Sequence, residues 1–144
     1  MIDMLASLIV NSTVVALAVI IHHEFLFYLT KFLPRLRVKH RSKLLISVFV
    51  SLIAHSLEIW VFALAYFLMH HSADWGRLEG SFDGSLLASA YYSFTTYTTL
   101  GFGDIQPIGD IRYLTGVESL TGLVLITWTA SFLFIEMQKY WSAD

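Results

Sequence analysis

Three long apolar stretches constrain the fold of this chain more than any other feature. Residues 4–21 carry no charged side chain, and residues 44–69 and 113–135 carry only one His and two Glu between them. An α-helix rises 1.5 Å per residue, so about 20 apolar residues cross the hydrocarbon core of a bilayer. The sequence therefore predicts three transmembrane helices, in keeping with 56% apolar and only 14% charged residues overall.

The basic residues indicate how these helices are oriented. Six of the nine Lys and Arg residues lie between the first two apolar stretches, with no acid among them: Lys31, Arg35, Arg37, Lys39, Arg41 and Lys43. Short basic loops stay in the cytoplasm. We therefore expect a multi-pass protein of the cell (plasma or inner) membrane with its N-terminus outside and its C-terminus in the cytoplasm. The first helix should be retained and not cleaved as a signal peptide, because Asp3 and not a basic residue precedes it.

The basic stretch itself is predicted to be a loop at the lipid headgroups. Pro34 precedes the run RLRVKHRSK, in which a cationic residue stands at every second position from Arg35 to Lys43. Cations at that spacing cannot share one face of a helix. They could bind anionic lipids or serve only to fix the orientation, and the sequence leaves both interpretations open.

A shorter apolar segment follows the second helix. Residues 70–85 are polar and rich in Gly and Ser, which predicts an extracellular loop. Residues 86–98, LLASAYYSFTTYT, are apolar and aromatic but too short to cross a bilayer, and glycines follow them. This arrangement predicts a re-entrant half-helix that enters the membrane and turns back.

The residues after the half-helix can bind dehydrated cations. Irregular backbone at membrane depth survives only where its carbonyls find partners, and a row of carbonyls that points one way needs unusual backbone angles. Gly101 and Gly103 supply positive φ without a Cβ clash. We expect Leu100 and Phe102 to turn back against the half-helix. The Thr99 hydroxyl would add an oxygen at the inner end of the row.

The segment YSFTTYTTLGFGDI, residues 92–105, resembles the pore domain of potassium channels, particularly the bacterial two-helix type, whose half-helix and filter read approximately YFSFVTLTTVGYGDI. The match continues through Pro107 and Gly109 to Arg112, and Gly122 stands where the family has a flexible inner-helix glycine. The resemblance covers roughly residues 45–137. Potassium would bind at the filter residues Thr99, Leu100, Gly101, Phe102 and Gly103, with Asp104 at the outer mouth, where its carboxylate concentrates cations.

The resemblance implies an all-α membrane protein with three transmembrane helices, a re-entrant pore helix and a selectivity-filter loop, assembled as a homotetramer around a central pore. Residues 1–43 would be an added N-terminal helix and basic loop, and residues 44–144 the pore domain. The predicted parts of that domain are an outer helix at 44–70, a pore helix at 86–98, a filter at 99–104 and an inner helix at 113–137.

Departures from the family pattern leave the degree of selectivity open. Leu100 replaces the usual Val and Phe102 the usual Tyr, so the filter lacks the hydroxyl that normally ties it to the pore helix. The resemblance therefore implies a passive potassium-selective channel or, as an alternative, a weakly selective cation channel. The first helix lacks an Arg at every third residue, so it is not a voltage sensor of the usual kind.

Further residues are predicted to support the filter or to line the pore below it. The expected filter supports are Tyr91, Tyr92, Thr95 and Glu118. One apolar face of the inner helix is predicted to form the hinge and cavity: Gly122, Leu123, Ile126, Ala130 and Phe134. A ring of Phe134 side chains could gate by dewetting, or Phe134 could instead pack between helices.

Ionisable residues within the membrane offer a different function. His55 and Glu58 are three residues apart and share a helix face, either as a structural pair or as part of a transition-metal site with ligands from other helices. Such a site would suit a non-conducting sensor or scaffold that binds a metal or a partner. Glu118 is expected to cap backbone groups of the half-helix and filter.

Other histidines are expected to be solvated. His22, His23 and Glu24 are predicted to lie hydrated near the inner interface, and His70 and His71 to lie at the outer surface.

Several classes of function are excluded by what the sequence lacks. It has no Cys, which excludes disulfides and thiolate metal sites. It offers no nucleophile–base pair and no cofactor motif, and Gln106 stands where a dinucleotide fingerprint would need Gly. We therefore expect no enzymatic activity, no cofactor other than the permeant potassium ion, and no nucleic-acid partner.

Overall fold

A computed structural model describes residues 2–72 and 74–141, with side chains at 2–4, 40, 140 and 141 outside the description. Within those ranges the chain forms three helices of 31 residues, one of 12, a short 3-10 turn at Leu33–Arg35 and two short strands. In chain order these are α1 (Ile2–Phe32), α2 (His40–His70), β1 (Arg77–Gly80), α3 (Leu86–Tyr97), β2 (Ile105–Ile108) and α4 (Ile111–Trp141).

The three long helices are apolar enough to cross a membrane. The qualifying segments are 5–35, 41–70 and 111–139, which confirms the prediction of three membrane-crossing helices. α1 packs against both α2 and α4, and α3 lies between α2 and α4. The predominantly helical fold class is confirmed, although the two strands were not predicted.

The connection between α1 and α2 is shorter than the predicted basic loop. α2 begins at His40, so Arg41 and Lys43 belong to the helix and the prediction of a loop through residue 43 is wrong. As part of the helix, three residues form a buried stripe at four-residue spacing: Lys43, Ser47 and Ser51. Lys43 is buried, the Ser47 hydroxyl donates to the Lys43 carbonyl at 2.9 Å, and Ser51 donates to Ser47 at 2.8 Å.

α3 is the short helix predicted to enter the membrane and turn back. Ser85 caps its start, because its hydroxyl accepts the Ala88 N–H at 3.0 Å. Along the helix, Ser93 donates to the Ile59 carbonyl of α2 at 2.9 Å, and Ser119 of α4 donates to the Thr96 carbonyl at 3.2 Å. These bonds fix α3 between the two long helices.

The strands β1 and β2 pair antiparallel and hold the segment that follows the filter. Their register runs from Arg77 opposite Ile108 to Gly80 opposite Ile105. Gly80 has φ +94° and lies so close to the filter that a Cβ would stand 2.2 Å from the Asp104 carbonyl oxygen. The next N–H, that of Ser81, donates to the same oxygen at 2.9 Å.

Candidate functional site

The backbone after α3 alternates between left-handed and ordinary conformations. Thr99, Gly101 and Gly103 have φ of 58°, 52° and 79°, while Leu100 and Phe102 between them have negative φ. In a regular strand successive carbonyls point in opposite directions, and this alternation instead turns them toward one side. Positive φ was expected at the two glycines but not at Thr99. A β-branched residue in this conformation stores on the order of 1–3 kcal/mol of strain.

Hydrogen bonds from residues 99 and 101 to the end of α3 hold this strained backbone. The Gly101 N–H donates to the Thr95 carbonyl at 3.0 Å, and the Thr99 N–H donates to the Thr96 carbonyl at 2.9 Å. The Thr95 hydroxyl bonds within its own helix, to the Tyr92 carbonyl at 2.9 Å. Thr95 therefore contacts the filter through its backbone.

Tyr91 joins α3 to Asp104 at the end of the predicted filter segment. Its hydroxyl donates to Asp104 Oδ2 at 2.9 Å, and its ring is nearly parallel to that of Phe102, with centroids 6.5 Å apart. Phe102 and Leu100 are nevertheless 64% and 59% exposed in the single chain. Of the two residues expected to turn back against the half-helix, Phe102 contacts Tyr91 of α3, and the packing of Leu100 stays a prediction for the assembled protein.

Glu118 of α4 lies behind α3, fully buried. It accepts hydrogen bonds from the hydroxyls of Ser93 and Tyr66, the latter at 2.5 Å. The expectation that Glu118 caps backbone groups is therefore wrong, because its carboxylate accepts hydrogen bonds from two side-chain hydroxyls instead. Tyr92 lies beside this group, edge-on to Tyr66, with its own hydroxyl 3.0 Å from Thr115 Oγ1.

A second buried carboxylate, Glu58, links three elements. Glu58 Oε2 lies 3.0 Å from His55 Nδ1, the predicted pair, and also accepts the hydroxyl of Tyr97, the last residue of α3. Glu58 Oε1 lies 2.9 Å from Nδ1 of His22 on α1. The prediction of a hydrated His22 is wrong, because the side chain is 1% exposed against Glu58.

The other predicted solvated residues behave differently from one another. His23 and Glu24 are both about half exposed, as expected, with 3.4 Å between Nδ1 and Oε1. His71 is exposed, but the His70 ring is partly buried and its Nδ1 accepts the Leu78 N–H at 3.1 Å. His70 therefore anchors β1.

The residues predicted to form the pore face of α4 fall into an exposed group and a buried glycine. Four of its residues are exposed in the single chain: Leu123, Ile126, Ala130 and Phe134. Gly122 is buried instead, because a Cβ there would stand 2.1 Å from the Tyr97 carbonyl oxygen. The expectation that Gly122 shares the cavity face is wrong for this chain, and its lack of a side chain serves close packing against α3.

A protein-family model described as "Ion channel" matches residues 44–139, which is 96 of the 144 residues. The chain belongs to this ion-channel family. The resemblance to a two-helix potassium-channel pore domain with an added N-terminal helix is therefore confirmed. No curated protein and no solved structure matches the chain.

The matched region covers most of α2, all of α3, the predicted filter segment and most of α4, and it excludes α1. Family membership makes the protein an ion-transport membrane protein and favours a transporter-type role over an enzymatic one. Sequence reasoning missed the hydroxyl partners Ser93, Tyr66 and Tyr97. A Ser or Tyr facing a buried carboxylate has no signature of its own, because the pairing depends on how the helices are rotated about their axes.

Proposed function

We propose that this channel conducts potassium selectively and passively, with the backbone carbonyls of residues 99–103 replacing the hydration shell of the ion. The alternating φ at Thr99, Gly101 and Gly103 is the observation that carries this proposal. Carbonyls that point to one side form a row of oxygens along one line. The hydrogen bonds from Gly101 and Thr99 to α3 keep that row in place.

The electrostatics around the filter also favour a cation. α3 ends at Tyr97, directly before the filter, so the negative end of its dipole lies at the inner end of the carbonyl row. Asp104 adds an exposed carboxylate at the outer end. A cation is therefore attracted at both ends of the filter.

We propose a homotetramer as the conducting assembly. One chain supplies one strand of carbonyls, whereas a dehydrated ion needs a closed ring of them. The exposed apolar residues beside the filter and on α4, among them Leu100, Phe102 and Phe134, are suited to burial against neighbouring copies. A monomer would supply carbonyl oxygens to only one side of a dehydrated ion.

Phe102 favours a second candidate, a weakly selective cation channel. Its ring offers no hydroxyl, and the hydroxyl of Tyr91, whose ring stacks with that of Phe102, is already bonded to Asp104. The filter then depends on its backbone bonds to α3 and on the stacking of Tyr91 with Phe102 for its width. A wider filter would discriminate less between potassium and sodium.

We propose that the channel lies in the cell (plasma or inner) membrane, with its N-terminus outside and its C-terminus in the cytoplasm. Five exposed cationic residues of this stretch would then face the cytoplasmic leaflet and could bind anionic lipids: Lys31, Arg35, Arg37, Lys39 and Arg41. Lys43, also expected to contact lipid, is buried instead. Lys31 and Arg35 lie over the rings of Phe27 and Phe32, as expected for long side chains at a membrane interface.

Flux measurements on purified protein in liposomes test the proposal. Potassium and rubidium should pass far faster than sodium, and equal sodium and potassium flux would favour the weakly selective channel. Cross-linking or native mass measurement should give four chains. A well-formed tetramer without flux would favour the non-conducting sensor or scaffold.

Gly101→Ala provides the local test of the filter. The Cβ would oppose the positive φ at this position, so conduction should be lost. Gly116→Ala is the matched control, since Gly116 lies on α4 with open space around its Cβ position. Conduction that survives in Gly101→Ala would reject the filter assignment.

A further inference from the structure

Two histidines and a carboxylate from two helices converge beside Tyr97, at the end of α3. One donor atom each from His22, His55 and Glu58 lies within 4.8 Å of the other two. Both Nδ1 atoms already contact the carboxylate, at 2.9 Å for His22 and 3.0 Å for His55. His22 and Glu58 are buried, while the His55 side chain is 15% exposed and gives the group a route to the surface.

These three side chains have the composition of a zinc-binding set. Two imidazole nitrogens and one carboxylate oxygen, with a fourth position left open, are a common arrangement of zinc ligands. Bonds of about 2.0–2.2 Å would bring the donor atoms to within roughly 3.4 Å of one another, so the ion would draw them slightly together. The Tyr97 hydroxyl, which bonds Glu58 and lies 3.0 Å from His55 Nδ1, is placed to be the fourth ligand.

Thr129 on α4 supplies the outer support that metal-binding histidines need. Its Oγ1 lies 3.0 Å from Nε2 of His55 and 3.4 Å from Nε2 of His22. A histidine that binds a metal through Nδ1 donates its Nε2–H to an acceptor, which fixes the tautomer. One hydroxyl oxygen has two lone pairs and can accept from both rings.

With both imidazole rings neutral, hydrogen bonding leaves one ring nitrogen of this group without a donor. If both rings are neutral and donate Nδ1–H to Glu58, both Nε2 atoms become acceptors. The single Thr129 proton can then serve only one of them. A proton on one imidazole would supply the missing donor. A metal cation between the two Nδ1 atoms and the carboxylate would instead let both Nε2–H groups donate to Thr129, and either cation offsets the buried negative charge.

We propose that His22, His55 and Glu58 form a binding site for one divalent transition-metal ion per chain, with zinc the best match, supported by Thr129. α1 contributes His22 and lies outside the region matched by the family model, so the site depends on the helix that this channel adds to the pore domain. The ring of Trp128, 5.1 Å from that of His22, forms an apolar wall beside it.

The site lies next to the filter in the chain. Tyr97 shares the Glu58 carboxylate and is separated from Thr99 by one residue. An ion bound to Glu58 would alter the hydrogen bond between Glu58 and Tyr97, which holds the end of α3. If the proposed conduction is correct, flux should therefore change with metal occupancy. Metal binding itself is measured without flux, so failure of either proposal can be recognised separately.

The test is a metal titration of the purified full chain in detergent. The affinity tag is first removed and bound metal is stripped with a chelator. Zn²⁺ binding is then measured by calorimetry and Co²⁺ binding by absorption spectroscopy. We expect one ion per chain. His22→Gln, His55→Gln and Glu58→Gln should each weaken binding by at least about tenfold. Thr129→Val should weaken it by about 10–100-fold, and Thr129→Ser should restore it because the hydroxyl is retained.

His23→Gln is the matched control, because His23 is the neighbour of His22 on α1 but is 57% exposed beside Glu24. His71→Gln tests the second exposed histidine, and both variants should bind like the parent. Gel filtration shows whether each ligand variant still assembles. If one does not, Thr129→Val still tests the proposal, because it leaves all three ligands in place. A parent that binds no ion, ligand and Thr129 variants that bind normally, or an equal loss in His23→Gln would overturn the proposal.

Discussion

Gly122 and Tyr97 touch so closely that a Cβ on Gly122 would stand 2.1 Å from the Tyr97 carbonyl oxygen and 3.0 Å from the base of its ring. Helix α4 therefore meets the end of α3 through the backbone of both helices. This contact sets the distance between α4 and the residues that follow α3. A glycine here is required for packing, whether or not it also permits bending.

Gly122→Ala should destabilise the assembly and disturb the filter. The methyl group cannot fit against backbone, and overpacking of this kind costs on the order of 1–3 kcal/mol. Gly116→Ala on the same helix meets nothing within 4 Å and should instead stabilise the helix by about 0.5–1 kcal/mol. Thermal unfolding of the two variants in detergent compares them directly. Equal stability would mean that α4 does not pack this closely.

Tyr66→Phe should destabilise the protein because it removes one of the two hydroxyls that donate to buried Glu118. A buried acceptor that loses its donor costs about 1–3 kcal/mol. Tyr113→Phe is the control, since Tyr113 is an exposed residue near the start of α4. Thermal unfolding should show a clear loss only in Tyr66→Phe, and an equal loss in both variants would contradict the role assigned to this hydrogen bond.

The helices of this protein could be predicted from the sequence because the information is local. Apolar stretches of membrane length locate α1, α2 and α4, and the run before the glycines locates α3. The strand pair could not be found in the same way. β1 is four residues long, and its pairing with β2 depends on the close approach of Gly80 to Asp104, far along the chain.

In the candidate sites too, the features that depend on local sequence were predicted, and those that depend on tertiary packing were not. The two filter glycines were predicted to need positive φ, and they have it. The strained Thr99 was missed, since no residue type predicts it. His55 and Glu58 pair within one helix turn and were found together, whereas His22 is 36 residues from Glu58 and joins it only through the packing of α1 on α2.

Asp104→Asn should lower potassium conductance mainly at low ionic strength. The carboxylate raises the local cation concentration at the outer mouth, and salt screens this effect over a Debye length of about 10 Å at 0.1 M. Conductance of parent and variant should therefore converge as salt is raised. Asp110→Asn, an exposed carboxylate between β2 and α4, should change little. A deficit in Asp104→Asn that persists at high salt would indicate damage to the filter instead.

Phe134 lies on the exposed face of α4 with Ile126 and Ala130, well below the filter along the inner helix. In a tetramer with this face toward the pore, four Phe134 rings would form an apolar constriction. Such a constriction stops ions because water leaves it, without a physical plug. Phe134 is 54% exposed in the single chain, so the alternative, in which it packs between helices, would need a neighbouring copy of the chain.

Phe134→Ser should therefore raise the open probability, since a hydroxyl lets water remain in the constriction. Ile135→Ser is the matched control: Ile135 is similarly exposed but points about 100° away around the helix. Single-channel recording of both variants in lipid bilayers measures the effect. Parent-like behaviour of Phe134→Ser would move the gate elsewhere, with the filter as the next candidate. The same rise in Ile135→Ser would mean that loosened helix packing, and not a wetted constriction, opens the pore.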